Sequence, residues 1–183
     1  MPNYIRPRLS GATIFFTVCL ADRGSSTLVE HIAALRAVVR ITRRERPFHI
    51  DAWVVLPDHL HAVWTLPEGD ADFSTRWRII KSRFTRTVLA EGSVGAEHPP
   101  YDTGKPTRRV GGVHPPARSK RAKGERGIWQ RRFWERHVRC EEEFAAAVRY
   151  CHLNPVKHGF VARPEEWPYS SVHREIAVRR WVA

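Results

Sequence analysis

Residues 48–66 read FHIDAWVVLPDHLHAVWTL. Two runs in this stretch, 48–56 and 59–66, are rich in β-branched and aromatic residues and predict two strands. Only Pro57 and Asp58 separate the runs, and so short a connection predicts an antiparallel hairpin. This hairpin decides the fold, because the rest of the sheet has to be built outward from it.

The segment before the hairpin predicts one strand followed by one helix. Residues 12–20 form an apolar run rich in β-formers, which predicts a buried first strand. Thr27 and Glu30 stand at capping-box spacing and predict the start of a helix. Its apolar residues keep helical intervals until about Arg46, where Pro47 ends the pattern.

The segment after the hairpin predicts a helix, a strand and a second helix. Ser74 is the expected N-cap of a helix that reaches about Glu91. Residues 128–138 are aromatic and basic and predict a fourth strand. A final helix is expected from the acidic run at Glu141 to the Asn154-Pro155 pair.

The predicted elements follow in the order β-α-β-β-α-β-α. The first six match a ferredoxin-like βαββαβ sandwich of the α+β class, in which a four-stranded antiparallel sheet carries helices on one face. The 183 residues suit one domain, which we expect at 1–160, with a C-terminal tail at 161–183. The Gly-, Pro-, Lys- and Arg-rich stretch at 92–127 breaks the pattern and is expected to be a flexible basic insertion.

The charge of the chain favours a polyanionic partner. Thirty-one Lys and Arg residues against 19 Asp and Glu give a formal charge of +12, and the sequence pI is about 10.6. Nucleic acid or an anionic membrane surface fits this balance. Charge alone does not choose between them, and it says nothing about catalysis.

The cysteines and the apolar runs favour a protein of the reducing cytosol. The three cysteines are odd in number and contain no Cys-x-x-Cys pair, which disfavours a disulfide scaffold or a cysteine-based zinc site. Arg6 and Arg8 before the run at 12–20 imitate a signal peptide, but nine apolar residues without a small-x-small cleavage site fit a strand better. No run approaches the length of a membrane span.

His59 and His61 are the first candidates for chemistry. Residues i and i+2 of a strand point to the same face, so the two imidazoles are expected side by side. Two neutral imidazoles can bind a divalent ion and leave positions open for substrate. The alternative is that either histidine is an ordinary hydrogen-bonded residue of the core or the surface.

Tyr150 and Asn154 are the second candidates. At i and i+4 of a helix they share one face, one turn apart. Tyr150 could serve as a nucleophile and Asn154 as an oxygen ligand. The alternative is a core-facing aromatic residue and a helix-ending Asn before Pro155. A metal that polarises a phosphodiester beside an attacking phenolate would cleave DNA and keep the bond energy for rejoining.

Three motifs together resemble a known family. Residues 57–61, PDHLH, resemble the His-hydrophobic-His motif of HUH nucleases. Residues 150–159, YCHLNPVKHG, resemble the tyrosine helix of REP-associated tyrosine transposases, and residues 167–171, WPYSS, resemble the C-terminal segment of that group. The chain is therefore identified as a member of this group within the IS200-like HUH single-tyrosine transposases.

The resemblance implies a metal-dependent enzyme that acts on single-stranded DNA. It implies that His59, His61 and Asn154 bind Mg²⁺ or Mn²⁺, and that Tyr150 attacks the scissile phosphate to leave a 5′-phosphotyrosine and a free 3′-OH. The implied substrates are palindromic repeats folded into hairpins, and the implied process is transposition or repeat processing in the cytoplasm at the nucleoid. A monomer is expected, with a homodimer as the alternative.

The remaining candidates would contact the DNA. Basic residues of the second helix and the fourth strand are expected to bind phosphates, and a tryptophan could stack on unpaired bases. The phosphate candidates are Lys81, Arg83, Arg131, Arg132 and Arg136, and the stacking candidates are Trp129, Trp134 and Trp167. The alternatives are solvated basic faces and a tryptophan of the core.

Two other functions remain open from the sequence. One is a non-catalytic nucleic-acid-binding protein of the same fold. The other is a metallohydrolase with an activated water, in which His59 and His61 would serve and Tyr150 would be idle.

Overall fold

The computed structural model describes residues 9–91 and 127–176. The predicted basic insertion at 92–127 lies outside the described residues except for Gly127, and so does the end of the predicted tail, 177–183. Within the described part of the chain, none of the helices is both long enough and apolar enough to span a membrane.

The predicted sheet is confirmed, with four antiparallel strands. They are β1 (Thr13–Cys19), β2 (His49–Val55), β3 (His59–Thr65) and β4 (Trp134–His137). The order is β2-β3-β1-β4, so the hairpin lies at one side and β1 pairs between β3 and β4. This is the expected ferredoxin-like arrangement. Its register sets His61 of β3 opposite both Thr17 of β1 and Val54 of β2.

The fourth strand is shorter than the predicted 128–138. Trp129 forms an isolated bridge with Leu20, and β4 proper begins only at Trp134. Ile128 and Phe133 both pack on the same hydrophobic core. They are five residues apart, and side chains at an odd spacing point to opposite faces of a continuous strand. The chain therefore has to leave the strand conformation between them.

The helices occupy the predicted regions but differ at their ends. They are α1 (Thr27–Glu30), α2 (Ile32–Glu45), α3 (Phe73–Glu91) and α4 (Glu141–Lys157), followed by a 3₁₀ turn (Pro164–Glu166) and a helical stretch at 172–176. The first predicted helix is broken at His31, whose ψ of 34° is not helical. The predicted capping box is wrong, because the amide of Thr27 donates to the Ser25 hydroxyl and Glu30 binds the hydroxyl of Ser26.

Two other helix ends also differ from the sequence expectation. Asp72, and not Ser74, caps α3, since its carboxylate accepts the amide hydrogen of Thr75 at 3.0 Å. Helix α4 continues through Pro155 to Lys157 and ends where Gly159 adopts a φ of 70°. A left-handed glycine just beyond the last helical residues is a strong helix stop. Proline costs one helical hydrogen bond but does not end this helix.

The sheet carries helices on both faces. Helices α2 and α3 cover one face, where Phe16, Trp64 and Trp77 lie at the centre of the core. Helix α4 covers the other face, where Ala147 and Cys151 pack against strand residues. Both are small side chains and let the helix approach the sheet closely. The face that carries His59 and His61 therefore lies beneath the helix that carries Tyr150.

The described part of the tail packs along the free edge of β2. The amide of Val55 donates to the Tyr169 carbonyl at 2.9 Å, and the amide of Ser171 donates to the Trp53 carbonyl at 2.8 Å. The Trp167 indole donates to the carbonyl of Val55 at 2.8 Å. These bonds occupy backbone groups that an edge strand would otherwise leave unpaired.

Arg76 of α3 is a structural residue, although its neighbours on the helix suggest a basic surface. Its side chain is 1% exposed and binds Asp70 through both terminal nitrogens, at 2.6 and 3.1 Å. It also donates to the backbone carbonyls of Arg46, Pro47 and Asp72. The guanidinium thereby joins the end of α2, the start of β2 and the start of α3.

Candidate active site

His59 and His61 lie side by side on β3, as their spacing predicts. Both are buried, and their ring centroids are 5.0 Å apart. Phe15 of the neighbouring strand stacks on the ring of His61 at 5.6 Å. The pair thus lies on a formed surface of the sheet and does not depend on a loop for its position.

One nitrogen of each imidazole is already bound by the protein. His59 donates from Nδ1 to Asp58 Oδ1 at 2.6 Å, and Asp58 Oδ2 lies 3.0 Å from Arg23 Nε. His61 Nδ1 is 2.9 Å from the hydroxyl oxygen of Thr17. These bonds leave Nε2 of each ring for another partner, and partners of this kind orient histidines that bind metals.

His61 is held in its neutral form. Burial lowers its pKa from 6.5 to about 3, with a smaller contribution from the neighbouring His59. When Nδ1 carries the ring proton and donates it to the Thr17 hydroxyl, the Nε2 lone pair of the neutral imidazole is free at neutral pH. A metal ion would bind there without displacing a proton.

Helix α4 presents Tyr150, Asn154 and His158 on one face, one turn apart. The Tyr150 ring meets His61 edge-on, with centroids 5.1 Å apart and planes at 80°. The His158 ring lies 5.2 Å from His59. Asn154 comes between these two residues along the helix and is 1% exposed, so it lies on the same side of the helix, turned away from solvent. Tyr150 is 41% exposed, which leaves its ring open to a ligand from solvent.

Three buried polar atoms of these side chains have no hydrogen-bond partner among the residues that the structure describes. They are His61 Nε2 and both Oδ1 and Nδ2 of Asn154. Buried polar groups are nearly always satisfied, so unsatisfied ones need an explanation. A divalent ion would fit the lone pairs of His61 Nε2 and Asn154 Oδ1, and imidazole and amide oxygen are ligands that such ions accept in proteins. In residues 9–91 and 127–176, no group of three or more His, Cys, Asp or Glu side chains could hold a metal ion, so the candidate ligands are two imidazoles and one amide.

Four further residues at the site were not predicted. Asp58 lies within the PDHLH motif at 57–61, and Lys157 and His158 lie within the tyrosine-helix motif at 150–159. Their positions inside these motifs could have identified all three as site residues. Lys157 Nζ is 5.2 Å from the centre of the Tyr150 ring. Thr17 carried no signal, because its role depends on the pairing of β1 with β3.

The predicted DNA contacts separate into two groups. Arg131, Arg132 and Arg136 are exposed. By contrast, Lys81 donates to the Gln130 carbonyl at 2.6 Å, and Arg83 forms an ion pair with Glu45 at 2.8 Å. Whether any of the five contacts DNA stays a prediction.

The proposed stacking role of Trp167 is wrong. Its ring is 2% exposed and belongs to the core beneath α4, so its faces are not available to a base. Trp134 is the exposed tryptophan near the site, at 55%. It meets Phe15 edge-on at 5.8 Å, and Phe15 also contacts Tyr150. Arg136 lies two residues along β4 and therefore points to the same face.

Comparisons with known proteins agree on one group. No family model matches the sequence. A REP-associated tyrosine transposase of Escherichia coli K12 is 40% identical over 177 residues, which are 97% of this chain and 86% of that protein. A Haemophilus influenzae protein of the same family name is 35% identical over 96% of this chain and 88% of its own length. The solved structure of a REP-associated tyrosine transposase bound to a REP hairpin has a TM-score of 0.73 and 39% identity, over 97% of this chain and 86% of that one.

Proposed function

The chain belongs to the REP-associated tyrosine transposases, and from this membership we propose that it cleaves and rejoins single-stranded DNA beside a repeat hairpin, with Tyr150 as the nucleophile. The hairpin substrate is inferred from the relative whose structure holds a REP hairpin. One observation carries the chemistry. The exposed Tyr150 ring lies edge-on against His61, whose buried Nε2 has no hydrogen-bond partner in the described part of the chain.

The reaction is a transesterification. The Tyr150 oxygen forms a bond to phosphorus and gives up its proton, while the bond from phosphorus to the 3′ oxygen breaks and that oxygen takes up a proton. The products are a 5′-phosphotyrosine and a free 3′-OH, and no water is consumed. Attack by a 3′-OH on the phosphotyrosine reverses the step and transfers the strand.

The residues around Tyr150 have separate tasks. His59, His61 and Asn154 would hold a Mg²⁺ or Mn²⁺ ion, which when bound supplies Lewis-acid polarisation of the scissile phosphate. Asp58 and Thr17 keep the two imidazoles oriented. The Lys157 ammonium is placed to attract the charged phosphate toward the Tyr150 ring.

Trp134 and three arginines would bind the strand that leads to Tyr150. An exposed indole beside the site offers a stacking surface to an unpaired base. Arg136 on the same face, and Arg131 and Arg132 just before β4, are the phosphate contacts that we favour. We rank them ahead of Lys81 and Arg83, whose side chains already bind within the protein.

We also propose that each chain acts with its own tyrosine. The histidines of β3 and the Tyr150 of α4 meet within one chain, so no second copy is needed to complete the site. Analytical ultracentrifugation should show a monomer. A dimer whose cleavage is restored by mixing Tyr150→Phe with His59→Ala chains would contradict this arrangement.

The test of the chemistry uses a labelled single-stranded hairpin with a single-stranded flank, incubated with the full chain and Mn²⁺. We expect a covalent protein–DNA adduct that survives denaturing electrophoresis. Tyr150→Phe should abolish the adduct while hairpin binding persists, and Tyr169→Phe is the matched control that should leave the adduct intact. His59→Ala combined with His61→Ala should also abolish it.

Each contrary outcome has a separate meaning. Cleavage that survives in Tyr150→Phe would make water the nucleophile. Cleavage that survives in the double histidine variant would remove the metal assignment. Hairpin binding by the unmodified chain without any adduct would leave the non-catalytic binding protein as the function.

A further inference from the structure

A groove lies on the side of the sheet opposite α4. It runs between α2, the β2 strand and the segment at 169–174, and it encloses about 630 Å³. Its volume falls within the roughly 300–1,000 Å³ of ligand sites. Trp53 and Val55 of β2 line it, whereas Ala52 and Val54 point to the face that carries the candidate active site.

Among the described residues, the charged side chains that line the groove are all arginines. Five arginines line it, and none of its lining residues is acidic. They are Arg36, Arg40, Arg43, Arg44 and Arg174, and all five are exposed.

The charges of these arginines are not compensated by neighbours. Arg36 donates to the Pro168 carbonyl, Arg43 donates to the Phe48 carbonyl, and Arg174 donates to the Ile50 and Asp51 carbonyls. Carbonyl groups orient a guanidinium without neutralising it. In the described part of the chain, Arg40 and Arg44 have no ion pair or hydrogen-bond partner.

The floor of the groove is aromatic and rigid. The partly exposed rings of Trp53 and Tyr169 contribute to it, and the buried ring of Phe48 supports them from below. The ring of Trp53 is nearly parallel to Trp77, with centroids 6.1 Å apart, and Trp77 is stacked on Trp64 at 4.2 Å. Core packing therefore holds Trp53 in place, and the floor does not need to form when a ligand arrives.

We propose that this groove is a second binding site for single-stranded DNA. Guanidinium groups along a rim bind phosphates, and partly exposed rings on a floor stack with bases, which is the combination that binds single strands without reading their sequence. The proposal rests on the proposed function only for the choice of DNA as the strand. Nothing in the chemistry at Tyr150 requires this groove.

Other occupants fit the groove less well. A peptide that adds a strand to β2 would need the backbone groups of Trp53 and Val55, which residues 169–171 already occupy. Residues 177–183 contain two arginines and no acid, so their charge does not complement the rim.

The test measures binding of a fluorescein-labelled 20-nucleotide oligothymidine, which forms no hairpin, to the full chain in EDTA. Tyr150→Phe is the background, so that no adduct forms. Arg40→Gln with Arg44→Gln removes two charges, and Arg40→Lys with Arg44→Lys is the matched control that keeps both. Thermal melts check that all variants are folded.

The expected effect follows from counterion release. Each phosphate contact on a single strand contributes about −0.7 to the slope of log K against log salt, so two lost contacts should reduce the slope by about 1.4. At 0.1 M salt this corresponds to roughly 25-fold weaker binding for the Gln pair, with the Lys pair close to the parent. An oligonucleotide that carries 5-iodouracil should cross-link to a peptide containing Trp53 or Tyr169.

Two results would overturn the proposal. One is binding by the Gln pair within twofold of the parent, with cross-links only near His59 and Tyr150. The other is an RNA strand of the same length or a polyglutamate peptide that binds more tightly than the DNA and depends on Arg40 and Arg44. The adduct assay on the hairpin is independent of both, so the groove and the Tyr150 chemistry can fail separately.

Discussion

Removal of the Asp58 carboxylate should weaken the proposed binding of Mn²⁺ in two distinct steps. Asp58 accepts a hydrogen bond from His59 Nδ1 at 2.6 Å and is itself held by Arg23 at 3.0 Å. Asp58→Asn keeps an acceptor for the imidazole but loses the negative charge, whereas Asp58→Ala loses both. Residues that orient metal-binding histidines in this way contribute about 10- to 100-fold in metal affinity.

We therefore expect a graded series. Asp58→Asn should raise the Kd for Mn²⁺ about 10-fold and Asp58→Ala about 100-fold, which correspond to roughly 1.4 and 2.7 kcal/mol. Free Mn²⁺ can be followed by its electron paramagnetic resonance signal during titration of the full chain. Asp22→Asn is the matched control, because the Asp22 carboxylate is exposed and, within the described residues, accepts a hydrogen bond only from the amide of Gly24.

Two outcomes would contradict the orienting role of Asp58 and the metal assignment separately. If Asp58→Ala binds Mn²⁺ within twofold of the unmodified chain, the carboxylate does not orient the ligand and the argument from His59 fails. If the unmodified chain binds no Mn²⁺, the metal assignment itself fails.

Three further predictions concern stability and reactivity. Arg76→Met should lower the free energy of unfolding in urea by about 1–3 kcal/mol, because it leaves the partly exposed Asp70 carboxylate and several backbone carbonyls without their donor. The exposed Arg78→Met should change it by less than about 0.5 kcal/mol, and equal effects of the two variants would contradict the structural role of Arg76. The metal-free chain should lose stability as the pH falls from about 6.5 toward 3, because the unfolded His61 imidazole takes up a proton in this range and the buried one does not. His61 alone should contribute up to about 1.4 kcal/mol of unfolding free energy per pH unit. An unchanged slope of unfolding free energy against pH in His61→Gln would refute this. Cys151 is fully buried and burial raises its pKa, so a thiol reagent should label the exposed Cys140 in the folded chain and reach Cys151 only after denaturation.

The sequence predicted the sheet, and the elements that carry the candidate site residues, because both depend on short-range patterns. Strand alternation placed His59 and His61 on one face of a strand, and helical spacing placed Tyr150 and Asn154 on one face of a helix. What it could not provide was the pairing between distant segments. Thr17 reaches His61 only through the register of β1 on β3, which no local pattern encodes.

The errors have the same origin. Trp167 and Trp134 are alike as residues, and only the docking of the tail decides which ring is buried and which is exposed. The fourth strand is interrupted because Ile128 and Phe133 both pack in the same hydrophobic core. The sequence does not reveal this shared packing until the partner strand is known. The exact start of a helix depends on which nearby carboxylate or hydroxyl accepts a hydrogen bond from its first amides, as Asp72 does for α3.

The bond from the Trp167 indole to Val55 spans 112 residues of the chain. A nascent polypeptide leaves the ribosome from its amino end, so β2 and β3 emerge long before Trp167 does. Trp167 belongs to the core that seats α4, and that core cannot close until this residue has arrived. We therefore expect the growing chain to display His59 and His61 first and to seat Tyr150, the proposed nucleophile, late. The order of synthesis would then keep the proposed metal ligands apart from Tyr150 until Trp167 has been made.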